Sequence, residues 1–166
     1  MSPMEETNEH PTNIGASVRA RLLNIAKHSA QDYNRGLIRF AQERLLYRFS
    51  VSAYRCNFIL KGALLFLTYN MPDHRPTKDI DFLCHGVKND IEGIKSMMKE
   101  VAAITADDGV IFDSTTIAVE PIAEQAAYGG LRVFIQCSIG GARNVLQIDM
   151  GFGDKITARP LGLDRN

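Results

Sequence analysis

The sequence has little of what marks secreted, membrane-spanning or strongly basic proteins. Its 19 basic residues balance 19 acidic ones, so no overall positive field predicts a nucleic-acid partner, and any basic patch must be local. The three cysteines, Cys56, Cys84 and Cys137, are odd in number and far apart, which argues against a disulfide framework and for a reducing cytoplasm. Residues 1–13 are polar, so we expect a disordered arm there rather than a signal peptide or a membrane anchor.

The chain is long enough to bury one core. Of its 166 residues, 45% are hydrophobic, and no internal repeat or low-complexity tract divides them, which predicts a single domain over 14–166. The pair Cys84-His85 is half of a zinc motif, but no second pair follows at ligand spacing.

Hydrophobic spacing predicts helices first and strands later. Two helices open the domain, the first capped by Ser17 and the second running past Leu37 to Phe49, and a third spans about 91–101. Between the second and third helices we expect a short strand or helix end at 58–60, a helix at 64–69 and a loop at 70–78. Strands are expected at 80–83, 110–112, 115–119, 131–139 and 144–152. The segment 121–128 is expected to be a short helix or a long loop. The glycines Gly140 and Gly141 predict a hairpin between the last two strands.

The second helix is rich in arginine. It carries Arg35, Arg39, Arg44 and Arg48 on neighbouring turns. Two interpretations remain open: a solvated helix face and a surface that faces phosphates.

A pair of aspartates follows a glycine turn and a basic loop. In an extended strand Asp79 and Asp81 share one face, while Ile80 and Phe82 point into a core. Two carboxylates side by side repel each other, and a bound divalent cation explains them most simply. Mg²⁺ takes one or two carboxylates and completes its shell with water and substrate phosphates.

A third aspartate lies in the middle of an apolar strand. Leu146, Ile148 and Met150 fill one face there, and Gln147 and Asp149 share the other. A carboxylate in that position is costly unless it is paired or ligates metal. The alternative to a metal ligand is an ion pair with a neighbouring arginine, Arg132 or Arg143.

Other residues of the same region suit phosphate binding. Gly62 lets the backbone approach a phosphate closely, although a lone glycine is also compatible with a plain turn. Lys61, Arg75 and Lys78 can neutralise phosphate charge, and Thr77 can donate a hydrogen bond.

These residues make the chain resemble the nucleotidyltransferase superfamily that includes DNA polymerase β and the aminoglycoside nucleotidyltransferases. More narrowly, the chain resembles the AbiEii/AbiGii toxin family, bacterial nucleotidyltransferases of abortive phage infection and of type IV toxin-antitoxin systems. The matching stretches are SVRARLLNIAK at 17–27, ERLLYRFSVSAY at 43–54, FILKGALLF at 58–66, RPTKDIDFL at 75–83, YGGLRV at 128–133 and GARNVLQIDMGFGD at 141–154.

The resemblance implies a fold and a reaction. The fold would be α+β, a mixed or antiparallel sheet with helices packed on one side and two helices before it. The reaction would move a nucleoside monophosphate from an NTP to an acceptor hydroxyl and release pyrophosphate, with a tRNA 3′ end as one such acceptor. Partners would then include NTP, tRNA and a cognate antitoxin protein, in the cytoplasm and away from any membrane.

The resemblance also assigns residues. Asp79, Asp81 and Asp149 would hold two Mg²⁺ ions, and the triphosphate would lie against Lys61, Gly62, Ala63, Arg75, Thr77 and Lys78. Ala63 stands where relatives commonly have Gly or Ser, so backbone N–H groups must bind the phosphate there without a hydroxyl. The arginines between Arg35 and Arg55 become candidates for contacts with the tRNA backbone.

Relatives usually continue through a helical C-terminal region. Because this sequence stops at Asn166, just beyond the third aspartate, we expect that region to be lacking here. A missing C-terminal fragment, or a second copy covering an exposed apolar edge, would then be a partner. The alternative function is a catalytically idle remnant that acts as a binding or assembly module. A nucleotidyltransferase for a small molecule such as an antibiotic is a third possibility, against which the lack of an acidic cluster suited to a polyamine argues.

Overall fold

A five-stranded mixed sheet and three helices make up the computed structural model, which describes residues 13–62, 79–122 and 129–153. The two expected N-terminal helices come first, which confirms the α+β fold class. In chain order the elements are α1 (Ile14–Ser29), α2 (Tyr33–Val51), β1 (Phe58–Lys61), β2 (Asp79–Cys84), α3 (Ile91–Ala102), β3 (Val110–Ile122), β4 (Gly130–Ile139) and β5 (Ala142–Phe152).

The order of strands across the sheet is β1-β2-β5-β4-β3. After β2 the chain passes through α3 to β3 at the far edge, and β4 and β5 return strand by strand. The last strand therefore lies beside β2 and runs parallel to it, while every other pairing is antiparallel. This path makes neighbours of the strand with the aspartate pair and the strand with Asp149.

Strand alternation gives the sheet a buried face and an open face. Ile80, Phe82, Ile148 and Met150 are at most 3% exposed and belong to one core cluster with residues of α2 and α3. Because successive side chains point to opposite faces, the aspartates between these residues lie on the other side of the sheet. Within the described residues, the helices thus pack on the buried face, and none of them covers the face that carries the aspartates.

Three phenylalanines fasten the end of α2 to the first two strands. The rings of Phe49, Phe58 and Phe82 lie 4.9 to 5.3 Å apart, centroid to centroid, in tilted or edge-on arrangements. Such aromatic pairs add stabilisation beyond the area they bury. Phe82 adjoins Asp81 in the chain, so this cluster fixes which way the Asp81 side chain faces.

Two arginines of α2 are bound to a single aspartate. The Arg48 side chain, 3% exposed, donates to both carboxylate oxygens of Asp108 at 2.8 and 3.2 Å, and Arg44 donates to Oδ2 at 2.7 Å. Arg48 also donates to the carbonyl of Ile104 at 3.0 Å. The phosphate-facing interpretation of α2 is therefore wrong for Arg44 and Arg48, which join the helix to the segment before β3.

The first helix begins earlier than expected. Asn13, not Ser17, is the N-cap, since its side chain accepts a hydrogen bond from the Ala16 N–H at 2.9 Å. Gly15 then brings the helix backbone against the hairpin turn, where a Cβ on Gly15 would lie 2.7 Å from the Gly140 nitrogen and 3.1 Å from the Gly109 oxygen. The start of α1 is thus joined to the sheet by contact between backbones.

The third strand is one element where two were expected. It runs from Val110 to Ile122 with a register shift between Asp113 and Ala118. At the shift, Asp113 accepts hydrogen bonds from the backbone and the hydroxyl of Thr115 at 3.0 and 2.6 Å. Local side-chain bonding of this kind competes with the ladder and bends the strand without ending it.

Several other expectations are settled by the structure. Gly140 and Gly141 have φ of 54° and 83°, which confirms the hairpin, and 58–60 belongs to a strand. All three cysteines are free, as their number indicated. The expected helix at 64–69, the loop at 70–78, and most of the arm at 1–13 and of the 121–128 segment lie outside the described residues.

Among the residues that the structure describes, no helix combines the length and the apolar character needed to cross a membrane.

Replacing Asp108 by Asn should lower the free energy of unfolding by about 3 kcal/mol, because it leaves the buried Arg48 guanidinium without its counter-charge. Chemical denaturation at neutral pH measures this. Asp107→Asn, a change of the same kind at the exposed neighbouring residue, should stay within about 0.5 kcal/mol of the native protein. Equal costs for the two substitutions would contradict the role of Asp108.

The same ion cluster predicts an acid dependence. Burial alone would raise the pKa of Asp108, but the hydrogen bonds from Arg48 and Arg44 outweigh it and the pKa is lowered. A lowered folded-state pKa means that the stabilisation is present above the unfolded pKa and is lost as the pH falls through the folded one. The difference in free energy of unfolding between the native protein and Asp108→Asn should therefore become smaller as the pH is lowered.

Candidate active site

A row of charged side chains crosses the open face of the sheet. Residues in register on adjacent strands share a face and lie side by side. Each of the five strands contributes one charged residue to this row. In the order of the strands across the sheet, β1-β2-β5-β4-β3, the charges are positive, negative, negative, positive and negative. The registered residues are Lys61, Asp81, Asp149, Arg132 and Glu120.

The three aspartates that the sequence singled out share this face. Asp81 is in register with Asp149, and Asp79, two residues before Asp81, is in register with Gln147. The parallel pairing of β2 and β5 therefore brings together residues that are about seventy positions apart in sequence.

The Asp81 carboxylate has an environment that disfavours its charge. Burial raises the pKa of Asp81, and the neighbouring carboxylates of Asp149 and Asp79 raise it further. Lys61 and Arg132 act in the opposite direction without cancelling the effect. Like-charge repulsion that the protein leaves uncompensated is typical of a site that receives a cation from outside.

The Lys61-Gly62 turn closes one side of this carboxylate. Gly62 has φ of 74°, and a Cβ at this position would overlap the Asp81 carboxylate. The Lys61 ammonium extends over β2 toward β5, since a Cβ on Gly151 would lie 3.8 Å from its nitrogen. Gly62 is thus more than a plain turn, because the position of Asp81 requires the absence of a side chain there.

Asp149 is bound to Arg132, as the alternative interpretation proposed. Arg132 Nε donates to Asp149 Oδ1 at 2.8 Å and its Nη2 donates to Oδ2 at 3.0 Å, while Gln147 donates to Oδ1 at 3.2 Å. Arg143, the other arginine considered, is in register with Ser138 near the hairpin turn. The described residues include no group of three or more His, Cys, Asp or Glu side chains close enough together to hold a metal ion.

The sequence pattern indicated Arg132 only as a partner of Asp149, and it did not single out Glu120. Alternation along β4 places Arg132 on the open face with Phe134 and Gln136, and that much is readable from the sequence. The register of three strands, which puts a carboxylate on each side of Arg132, is not readable there.

The remaining predicted residues divide into two groups. Ala63, Arg75, Thr77 and Lys78 lie outside the described residues, so their roles stay predictions. Cys84 points into the core, and burial raises the pKa of its thiol to about 12. The Cys84 sulfur thus faces the core and not the row of charges, and no group of potential metal ligands surrounds it in the described part of the chain.

A protein-family model described as nucleotidyl transferase AbiEii toxin, type IV toxin-antitoxin system, matches residues 44–163. The chain belongs to this family. The matched region begins inside α2 and contains the whole charged row, so the AbiEii match and the site coincide. It confirms the resemblance and indicates a nucleotidyltransferase toxin with an antitoxin partner. No curated protein and no solved structure matches the chain.

Gly62→Ala should destabilise the protein more than Gly141→Ala. Both glycines have positive φ, 74° and 83°, so both substitutions carry a backbone cost of about 1 kcal/mol. Only at Gly62 does the new methyl group meet the Asp81 carboxylate, whereas nothing lies within 4 Å of a Cβ at Gly141.

Chemical denaturation of both variants measures the difference. In an Asp81→Ala background the extra cost at Gly62 should disappear. Equal costs in the native background would show that the Gly62–Asp81 contact has no energetic weight.

Asp81→Asn should stabilise the metal-free protein at neutral pH. Because the folded-state pKa of Asp81 is raised, the ionised carboxylate weakens the fold as the pH rises through that pKa. The melting temperature of the variant in EDTA should exceed that of the native protein at pH 7, and the gap should shrink toward about pH 4. A lower melting temperature at neutral pH would instead make Asp81 a structural residue like Asp108.

Proposed function

We propose that this AbiEii-family protein is a divalent-metal-dependent nucleotidyltransferase that transfers a nucleoside monophosphate from an NTP to an acceptor hydroxyl and releases pyrophosphate. The observation that carries the proposal is the register of Asp81 with Asp149 on adjacent parallel strands, with Asp79 on the same face. Three carboxylates so placed give a donor set made only of oxygen, which is the kind that Mg²⁺ prefers.

The donor set fits a cation, with one condition. Burial and like-charge repulsion around Asp81 favour a positive ion between β2 and β5, but Asp149 is already bonded to Arg132 and Gln147 and can bind through both oxygens only if one of these bonds is released. Under the proposal Asp79, Asp81 and Asp149 hold two Mg²⁺ ions, which when bound would acidify the acceptor hydroxyl and neutralise the departing pyrophosphate. The carboxylates themselves thus support metal dependence.

Residues at the edge of the row would bind the triphosphate. The exposed Lys61 ammonium supplies positive charge beside the carboxylates, and we propose that the backbone at Gly62, which has no side chain, lets a phosphate approach closely. We propose that Ala63, Arg75, Thr77 and Lys78 complete the triphosphate site through backbone N–H groups, two cationic side chains and a hydroxyl. Their place in the sequence, between the turn and the aspartates, supports this.

The proposed acceptor is a tRNA 3′ end. Blocking that end would stop aminoacylation and would account for a toxin that acts in the cytoplasm. Arg35, Arg39 and Arg55 are exposed and can contact phosphates, although Arg39 already pairs with Glu43 at 3.2 Å. The ion cluster with Asp108 withdraws Arg44 and Arg48 from this role.

One observation favours a second candidate, a binding or assembly module without catalysis. Asp149 already has a bidentate arginine partner, and an aspartate satisfied in this way needs no metal. Asp81 distinguishes the two candidates, because a structural module gains nothing from keeping an unfavourable carboxylate in the same row.

The test is transfer of label. The protein is incubated with Mg²⁺, total tRNA and each α-labelled NTP in turn, and labelled RNA and released pyrophosphate are measured. Asp81→Asn should lower the rate by about a hundredfold or more, because metal ions stabilise the transition state by several kcal/mol. Asp107→Asn, at an exposed position remote from the row, should transfer label like the native protein.

If label appears on protein or on a small acceptor instead of RNA, the proposed nucleotidyl transfer stands and the proposed tRNA acceptor is wrong. If the native protein transfers label to none of these acceptors with any of the four NTPs, the non-catalytic module is the better description.

A further inference from the structure

We propose that the Arg132 guanidinium stands in for a divalent cation at Asp149 in the metal-free protein, and that metal binding displaces it. Arg132 thus acts on the site through Asp149, as a competitor of the metal ion for the third carboxylate. The inference rests on the proposed function, since it requires a metal ion at Asp79, Asp81 and Asp149.

The first support is the occupancy of the Asp149 oxygens. Oδ1 accepts from Arg132 Nε at 2.8 Å and from Gln147 Nε2 at 3.2 Å, and Oδ2 accepts from Arg132 Nη2 at 3.0 Å. A carboxylate has about four lone-pair directions, so these three bonds leave about one, on Oδ2. A cation can therefore bind both oxygens of this carboxylate only if Oδ1 gives up its bond to Arg132 or the longer one to Gln147.

The second support is the place of β5 between β2 and β4. Asp149 is in register with Asp81 on one side and with Arg132 on the other, and its hydrogen bonds to Arg132 run toward the side away from Asp81. In the part of the chain that the structure describes, the three aspartates form no metal-ligating group. A cation bound at Asp81 would compete for the same oxygens from the opposite side.

The third support is an alternative partner for the displaced guanidinium. Glu120 on β3 is in register with Arg132 on the side away from Asp149 and is exposed. The Arg132 side chain is itself 34% exposed, so water can reach it and it is not locked in the core. The row therefore offers Arg132 two carboxylates, one of which the metal can take.

The alternative to competition is that Arg132 assists metal binding. An arginine that holds Asp149 in the right orientation would support metal binding, and removal of such outer partners weakens metal affinity by about 10- to 100-fold. The sign of the change in affinity therefore separates competition from support.

The test measures Mn²⁺ affinity by the paramagnetic resonance signal of free Mn²⁺, without nucleotide. Arg132→Gln should bind Mn²⁺ about tenfold more tightly than the native protein, because both the competitor and a like charge are gone. Arg143→Gln loses the same charge on β5, at an exposed position opposite Ser138, and should change affinity less than about twofold. Asp81→Asn should lose most of the binding, which places the ion in the row.

Glu120→Gln provides a second variant with the opposite expectation. It leaves Arg132 with Asp149 as its one carboxylate partner within the row, so Mn²⁺ affinity should fall about threefold or more. Because Glu120 is exposed, this variant keeps the inference testable if Arg132→Gln fails to fold, which melting curves of each variant reveal.

Unchanged or weaker Mn²⁺ binding by folded Arg132→Gln overturns the inference, as does unchanged or tighter binding by Glu120→Gln. These outcomes leave the proposed function standing if the native protein binds Mn²⁺ and transfers label. Absence of Mn²⁺ binding in every variant overturns both together. Binding without label transfer overturns only the proposed activity, and the Arg132→Gln comparison still decides the inference.

Discussion

The parallel pairing of β2 with β5 is the constraint on which the candidate site depends. The two strands meet because the chain crosses to the far edge of the sheet after β2 and returns strand by strand. Their register sets Asp81 opposite Asp149, and the apolar residues on either side, such as Ile80 and Ile148, hold that register because a shift by one residue would bury the carboxylates. Core packing on one face thus determines the chemistry on the other.

Two aspartates of similar burial show how the fold treats charge differently in its two regions. Asp108 has two arginines within hydrogen-bond distance and its pKa is lowered, so its charge stabilises the link between α2 and the sheet. Asp81 has two carboxylates nearby and its pKa is raised, so its charge opposes folding. The hydrogen bonds from the arginines outweigh burial at Asp108, whereas Lys61 and Arg132 do not offset the unfavourable environment of Asp81, a distinction that burial alone does not reveal.

Periodicity predicted most of the elements, and an aspartate inside an apolar strand pointed to Asp149, because both signals are local in sequence. The errors had two sources, partners that are distant in sequence and a competing cap residue nearby. Arg48 has the spacing of an exposed helix residue, yet it binds Asp108, sixty residues later. Ser17 is a good N-cap by type, but Asn13 lies one turn earlier and caps the helix first. The place of Arg132 between two carboxylates required the register of three strands, which no single segment encodes.

The joint between α1 and the hairpin has a consequence for how this protein can change over time. Gly15, Gly109 and Gly140 meet backbone to backbone, and Arg19 of α1 adds one side-chain hydrogen bond, to the Gly140 carbonyl at 3.0 Å. Apart from Arg19, substitutions on the outer surface of α1 leave this backbone contact intact, so that surface is free to diversify while the helix keeps its place. The three glycines have no such freedom, because any larger residue would push the helix away from the turn that joins β4 to β5. The outer side chains of α1 can therefore vary while its attachment to the hairpin stays the same, because the attachment is made mainly by backbone atoms.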